Sequence, residues 1–165
     1  MGRLGPTRLP IRSIPGSLYP GPYWLRVQIT VCLQLTCSVY ICTRIYFYCS
    51  QAVVIDNTVY LSGVLGLDPS TNKLVDGNTV AQAKQAFINM KNILEAANSS
   101  YDNVVKATVL LADINDFAEV NKIYKQYFKE PYPARTAYQV AKLPLDAKIE
   151  IEAIAVVGEI VDHSS

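Results

Sequence analysis

The sequence predicts a single α+β domain between residues 50 and 160, and three observations carry this prediction. Short runs rich in Val, Ile and Tyr alternate with two segments of helical period, in the order β β α β α β β. The chain has 165 residues, enough for one domain and too few for two ordinary ones. Hydrophobic residues make up 50% of the chain, so a sizeable core can form.

The first two strands are predicted to form a hairpin. Residues 52–55 and 58–62 are β-rich, and Asp56 and Asn57 between them suit a two-residue turn. Gly63 and Gly66 come next and indicate a bend before a polar loop. A glycine after a strand also allows a ligand or another backbone to approach closely, and a plain bend is the alternative.

Two amphipathic helices are predicted, at residues 79–98 and 116–129. Asn78 or Thr79 suits the N-cap of the first helix, and Asp113 or Asn115 the N-cap of the second. A Pro-Tyr-Pro run ends the second helix. The apolar faces comprise Val80, Ala83, Phe87, Met90 and Leu94 in the first helix, and Phe117, Val120, Tyr124 and Phe128 in the second.

Three further strands are predicted, at residues 103–112, 136–141 and 148–157. Two helices can cover only one face of such a sheet, so the other face must find its cover elsewhere. The strand at residues 103–112 has apolar side chains on both faces, with Val109 on one and Leu110 on the other. We therefore expect a homo-oligomer.

The residues before and after this domain differ from it in composition. Residues 1–23 are rich in Pro, Gly and Arg and predict an irregular arm, and residues 161–165 form a polar tail. Residues 24–49 are apolar, aromatic and Cys-rich. They contain too many polar side chains for a membrane span, so we expect no membrane association. The alternative is a chain anchored through residues 24–43.

No metal or cofactor site is expected. The four cysteines are spaced five, five and seven residues apart, which fits neither a zinc site nor a disulfide framework. The single histidine, His163, lies in the polar tail. The 15 basic and 14 acidic residues nearly balance, which argues against a nucleic-acid binder driven by a basic surface. A small anionic substrate requires only one well-placed arginine.

Arg135 and Glu150 are the candidate catalytic residues. Arg135 follows a stiff Pro-rich segment, and a guanidinium held there could bind a carboxylate with two hydrogen bonds. The alternative is a surface arginine in a local ion pair. Glu150 and Glu152 share one face of the last strand, and their repulsion would raise the pKa of one carboxyl, as suits a group that activates water. The alternative is the solvated face of an edge strand.

Seven motifs in order, from residue 50 to about residue 160, resemble the RidA (YjgF-like) family and are close to its animal members. They are Ser50-Gln51-Ala52-Val53, Tyr60-Leu61-Ser62-Gly63, Asn103-Val104-Val105-Lys106, Leu111-Ala112-Asp113-Ile114-Asn115-Asp116-Phe117, Val120-Asn121, Pro133-Ala134-Arg135 and Ile149-Glu150-Ile151-Glu152-Ala153.

The resemblance implies a chorismate-mutase-like mixed sheet with two helices on one face, and a homotrimer with its sites at subunit interfaces. It implies hydrolysis of 2-iminobutanoate and 2-iminopropanoate, which protects pyridoxal-phosphate enzymes, with no cofactor, in the cytoplasm and also in mitochondria. Arg135 would bind the substrate carboxylate and Glu150 would orient or activate water. Ser62, Gly63, Asn121 and the backbone of Ala137 would line the pocket.

The chain departs from the family pattern before residue 50. The family has an unbroken Gly-Pro-Tyr-Ser-Gln-Ala-Val run, whereas here residues 24–49 separate Tyr23 from Ser50. One hypothesis is an unspliced intron or a gene-model error, because a segment ending in Tyr-Phe-Tyr-Cys is what a pyrimidine-rich stretch before a splice acceptor would encode. The family's pocket tyrosine is thereby in doubt, since Cys49 takes its position, with Tyr48 one residue away.

Two other functions stay open. One is a translation-inhibiting endoribonuclease, an activity attributed to mammalian relatives in the RidA family. The other is a non-enzymatic trimer that binds small ligands or acts as a chaperone.

Overall fold

The structure is a computed structural model that describes residues 50–158 and residue 160. The arm, residues 24–49 and the tail at 161–165 lie outside the described residues, as do Tyr23, Tyr48, Cys49 and His163. The predicted α+β class and element order are confirmed. The strands are β1 (Ala52–Ile55), β2 (Thr58–Leu65), β3 (Val104–Leu111), β4 (Ala134–Gln139) and β5 (Ile149–Val156), and the helices are α1 (Thr79–Ala96) and α2 (Phe117–Tyr127).

The five strands form one mixed sheet in the order β1-β2-β5-β3-β4. β3 and β4 run parallel, and the other neighbouring pairs are antiparallel. β5 is therefore the central strand. The alternative reading of Glu150 as a residue of an edge strand is wrong, because both neighbours of β5 pair with it along most of its length.

Both helices cover the same face of the sheet, as predicted. α1 packs on β2, β5 and α2. Phe87 and Met90 of α1 share a fully buried core with Ile149 and Ile151 of β5. This face is referred to below as the helix face. The opposite, open face is formed by the alternate strand residues, and it has two exposed tyrosines, Tyr60 and Tyr138.

Strand β2 runs three residues beyond its predicted end because it contains a β-bulge. Leu61 lies opposite Ala153 and Val64 opposite Ile151, so Ser62 and Gly63 together face one residue of β5. A bulge bends a strand and redirects its side chains. The glycine that predicted a bend thus lies inside a continuous strand.

Several other boundaries differ from prediction by one or two residues, and two of these differences have local reasons. Strand β4 begins at Ala134, two residues early, because Ala134 pairs with Lys106 of β3. Asp113 caps a single 3₁₀ turn by accepting a hydrogen bond from the backbone N–H of Asn115, and α2 follows that turn. Asn78 is the N-cap of α1, as predicted, and accepts from the backbone N–H of Ala81. Neither α1 nor α2 has the length and apolar character needed to cross a bilayer.

Candidate active site

Glu150 projects from β5 onto the open face, directly against Gly63. Its neighbours Ile149 and Ile151 point into the core, so the alternation of the strand places Glu150 on the other side. A Cβ atom added to Gly63 would lie 1.7 Å from the Glu150 Oε1 atom and 2.5 Å from Cδ. The carboxylate therefore occupies the space that any other residue at 63 would fill, and the sequence places a glycine there for close approach.

The carboxyl of Glu150 is half-buried, and burial raises its pKa above the ordinary value. Repulsion from Glu152, two residues along the same face, raises this pKa further. The predicted direction of the shift is confirmed, with burial as the larger cause. A carboxylate with a raised pKa is a stronger base than a solvated one, which suits it to accept a proton from water.

Ser62 ties the start of the described chain to β2. Its hydroxyl donates to the backbone carbonyl of Ser50 at 2.6 Å, and its backbone N–H donates to the carbonyl of Gln51 at 3.0 Å. The hydroxyl oxygen still has acceptor capacity. Ser62, Gly63, Glu150 and Glu152 are called the glutamate group below.

Arg135 lies on the other face, at the edge strand β4. Its Nη1 donates to the Asn121 Oδ1 atom at 2.7 Å. The central carbon of the guanidinium lies 4.6 Å from the ring centroid of Tyr124 and 5.4 Å from that of Phe117. These three partners lie at positions i, i+4 and i+7 of α2, so they form one stripe along the helix. They and Arg135 are called the arginine group below.

The stripe orients the guanidinium without neutralising it. The aromatic faces attract the cation and the amide fixes its plane. Burial raises the pKa of the Tyr124 phenol, although Arg135 opposes the shift, so this ring stays neutral. The alternative of a local ion pair is not what the described residues show, because within residues 50–158 the partner of Arg135 is an amide. A guanidinium that is fixed in place but unpaired can bind a carboxylate through two hydrogen bonds.

The two groups do not meet within one chain. Arg135 pairs with Ala107 of β3, a core residue, whereas Glu150 pairs with Leu110. Positions 107 and 110 lie three residues apart along β3, so they face opposite sides of the sheet. One chain thus presents an arginine group at the edge of the helix face and a glutamate group on the open face.

Ala137 lies on β4 beside Arg135, paired with Val109 and packed against the core. Its side chain is turned toward the core, so only its backbone is placed to meet a ligand.

A shallow cavity of about 280 Å³ occupies the open face near the glutamate group. It is lined by Tyr60, Leu61, Lys106, Thr108, Glu152, Ala153 and Ile154. Within the described part of the chain, His, Cys, Asp and Glu side chains form no cluster suited to a metal ion.

Phe117 and Tyr124 were predicted as core residues of the second helix, and their contact with Arg135 was missed. The signal was present in the sequence, because two aromatic residues seven apart with an Asn between them lie on one side of a helix. The missing information was that this side faces β4 rather than the central strands.

Comparison with known proteins identifies the relatives of this chain. Residues 45–157 match the family model of endoribonuclease L-PSP. The human protein named 2-iminobutanoate/2-iminopropanoate deaminase is 58% identical over 115 residues, which cover 70% of this chain and 84% of that protein. The crystal structure of RidA from the Antarctic bacterium Psychrobacter is 49% identical with a TM-score of 0.66, covering 70% of this chain and 92% of that chain.

A third relative is the Escherichia coli protein TdcF, whose crystal structure has bound serine. It is 41% identical with a TM-score of 0.62, and the match covers 67% of this chain and 88% of that chain. The family match, the identities and the shared fold agree with one another and with the motifs in the sequence. The chain belongs to the endoribonuclease L-PSP family, the family of the RidA and YjgF proteins.

Proposed function

We propose that this chain hydrolyses 2-iminobutanoate and 2-iminopropanoate to the corresponding 2-keto acids and ammonia, and so protects pyridoxal-phosphate enzymes from these reactive imines. The observation that carries the proposal is the 58% identity to the human and goat proteins that bear this activity in their names. The bound serine of the related TdcF structure supports a small substrate with an amino-acid skeleton.

Arg135 binds the substrate carboxylate. The 2.7 Å hydrogen bond to Asn121 uses one of its donors, and the remaining N–H groups provide the fork that a carboxylate needs. The rings of Phe117 and Tyr124 hold the guanidinium in one orientation, so binding costs little side-chain entropy.

Glu150 orients and deprotonates the attacking water. The imine reacts in its N-protonated form: as the water oxygen bonds to the imine carbon and Glu150 takes a water proton, the C=N π electrons move to nitrogen and give a carbinolamine. The Glu150 carboxyl then protonates this nitrogen, the C–N bond breaks while the hydroxyl oxygen forms the C=O bond, and the hydroxyl proton passes to the departing ammonia, which leaves as ammonium. The raised pKa of Glu150 makes its carboxylate a stronger base for the proton transfer from water. Gly63 gives the carboxylate its position, while Ser62, Asn121 and the backbone of Ala137 line the pocket.

The active form is a homotrimer with sites between subunits. The opposite placement of the arginine and glutamate groups supports this, because a neighbouring copy can bring its arginine group to the glutamate group of the first. The exposed Tyr60 and Tyr138 on the open face support burial of that face between copies.

A mixture of two inactive variants tests the shared site. If the groups come from different copies, co-refolding Arg135→Ala with Glu150→Gln in equal amounts should restore about a quarter of wild-type activity, since each site draws one residue from each of two randomly mixed copies. Sites built within one copy would give no activity in the mixture. Sedimentation of the wild type should give three times the chain mass.

The proposed reaction uses protein groups and water, so dialysis against a chelator should leave the rate unchanged.

We also propose that the protein acts in the cytoplasm and in mitochondria, without a stable nucleic-acid partner or membrane association. Cell fractionation tests the location, and recovery in a membrane fraction would support the anchored alternative.

We propose further that residues 24–49 are absent from the working protein. The family match begins at residue 45, late in this segment. Sequencing the transcript tests the proposal: a message that joins Tyr23 directly to Ser50 supports it, and a message that encodes the whole segment contradicts it.

A further inference from the structure

Helix α1 carries two buried side-chain amides on the side that packs against the sheet, across the sheet from the glutamate group. Gln82 is 5% exposed and Asn89 is fully buried. A buried amide is costly unless its hydrogen bonds are made, so each amide in a core must be matched to specific partners. Except for a side-chain hydrogen bond between Gln85 and Asn89, the partners of these two are backbone groups within or directly beside the strands that hold Gly63 and Glu150.

Gln82 contacts the start of β5. Its Oε1 atom accepts a hydrogen bond from the backbone N–H of Lys148 at 2.8 Å. Lys148 lies two residues before Glu150, and its carbonyl accepts from the backbone N–H of Ala112. This hydrogen bond fixes the position of the first residues of β5 relative to α1.

Asn89 contacts the end of β2. Its Nδ2 donates to the backbone carbonyls of Leu65 at 3.0 Å and Leu67 at 2.8 Å, and its Oδ1 accepts from Gln85 at 2.9 Å. Leu65 is paired directly with Glu150 across the sheet. The amide thus anchors β2 two residues beyond Gly63.

The two amides hold both strands whose relative position sets the contact between Gly63 and the Glu150 carboxylate. The bulge at Ser62 and Gly63 interrupts the ladder between β2 and β5 at this point, so strand pairing alone constrains the contact less than elsewhere. The hydrogen bonds from Gln82 and Asn89 of α1 hold the two strands where the β2–β5 hydrogen-bond ladder is interrupted.

We propose that Gln82 and Asn89 are positioning residues for hydrolysis, which hold β5 and β2 so that the Glu150 carboxylate lies against Gly63. The proposal rests on the assignment of Glu150 as the group that activates water. Neither amide touches the substrate, since both are buried on the helix side of the sheet.

The test compares Gln82→Met with Gln82→Glu. Met has similar length and offers the Lys148 N–H only a weakly accepting thioether sulfur, whereas Glu keeps an acceptor oxygen in either protonation state. We expect Gln82→Met to lower kcat for 2-iminobutanoate about tenfold with KM changed by less than about twofold, because the water is misplaced while Arg135 still binds the carboxylate. Gln82→Glu should recover most of the lost kcat.

Ser99→Ala is the matched control. The Ser99 hydroxyl donates to the carbonyl of Val156 at 2.8 Å, so it also joins a buried side chain to β5, at the opposite end of the strand from Glu150. Its loss should reduce the thermal midpoint by a similar amount and leave kcat unchanged. Calorimetric titration with 2-oxobutanoate counts competent sites in each variant.

Three results would overturn the proposal: wild-type kcat in Gln82→Met, an equal loss of kcat in Ser99→Ala, or a loss of kcat matched by a loss of 2-oxobutanoate binding sites. If Gln82→Met does not fold, Gln82→Asn withdraws the acceptor by one methylene and answers the same question. Glu150→Gln separates the two assignments, since full activity in that variant refutes the role of Glu150 itself.

Discussion

Substitution of Gly63 by alanine tests the position of the Glu150 carboxylate. The new Cβ would lie 1.7 Å from Oε1 and 2.9 Å from Cγ, and real Cβ atoms do not come closer than 3.0 Å to a neighbour. The Oε1 atom must therefore move away by about 1.3 Å, the difference between its 1.7 Å distance from the new Cβ and the 3.0 Å closest approach. Displacement of a catalytic group by about 1 Å can lower a rate by about 100-fold, and we expect a loss of that order in kcat.

The fold should survive this substitution. The atoms in the way belong to the far end of a flexible side chain, so Glu150 can rotate aside at a cost of about 1 kcal/mol. Gly66→Ala is the contrasting variant, because its Cβ would lie 2.4 Å from the backbone carbonyl oxygen of Gln82, which cannot rotate away. We expect Gly66→Ala to be strongly destabilised.

The assay follows decay of 2-iminobutanoate generated by a threonine dehydratase, beside urea denaturation of each variant. The expected pattern is an inactive but stable Gly63→Ala protein and an unstable Gly66→Ala protein. A Gly63→Ala protein with wild-type turnover would refute the reasoning, since the reaction would then not depend on where Glu150 lies.

Three further predictions concern charge, pH and packing. Arg135→Lys should raise KM about tenfold or more with a smaller change in kcat, because an ammonium cannot form the two-pronged contact, and initial rates measure this. Glu152→Gln should move the acidic limb of the kcat/KM profile to lower pH: its charge raises the pKa of Glu150, so its removal lets Glu150 stay ionised in more acidic solution. Phe87→Ala should lower the free energy of unfolding by about 3–5 kcal/mol in urea, because the ring is fully buried and contacts four aromatic rings.

Local sequence patterns were sufficient to predict the strands, the α-helices and the hairpin of β1 and β2, but not how the other strands pair. The five strands and two α-helices occur where alternation or helical period predicts them, because those periods reflect the burial of one face. Strand β4 begins earlier than predicted because Ala134 and Arg135 pair with residues of β3, which lie about 30 residues away in sequence. The bulge in β2 has a similar origin, since Gly63 indicates a bend locally and only its partner strand makes it part of a ladder.

The residues of the candidate site were predicted, but their arrangement was not. Arg135 and Glu150 were both singled out, yet their placement on opposite faces depends on the register of β3 with β4 and β5. The burial of Gln82 and Asn89 was also missed, because a polar residue inside a helical period is interpreted as exposed until its backbone partners are known.

The most direct test of the account is hydrolysis of the imine itself. Purified protein is added to threonine dehydratase acting on threonine, and the decay of 2-iminobutanoate is compared with its spontaneous decay. We predict that the wild-type protein accelerates the decay. The Glu150→Gln variant should give no acceleration, and the Arg135→Lys variant should give it only at a much higher concentration of 2-iminobutanoate. A decay rate equal to the spontaneous one, measured with folded protein, would contradict the proposed activity.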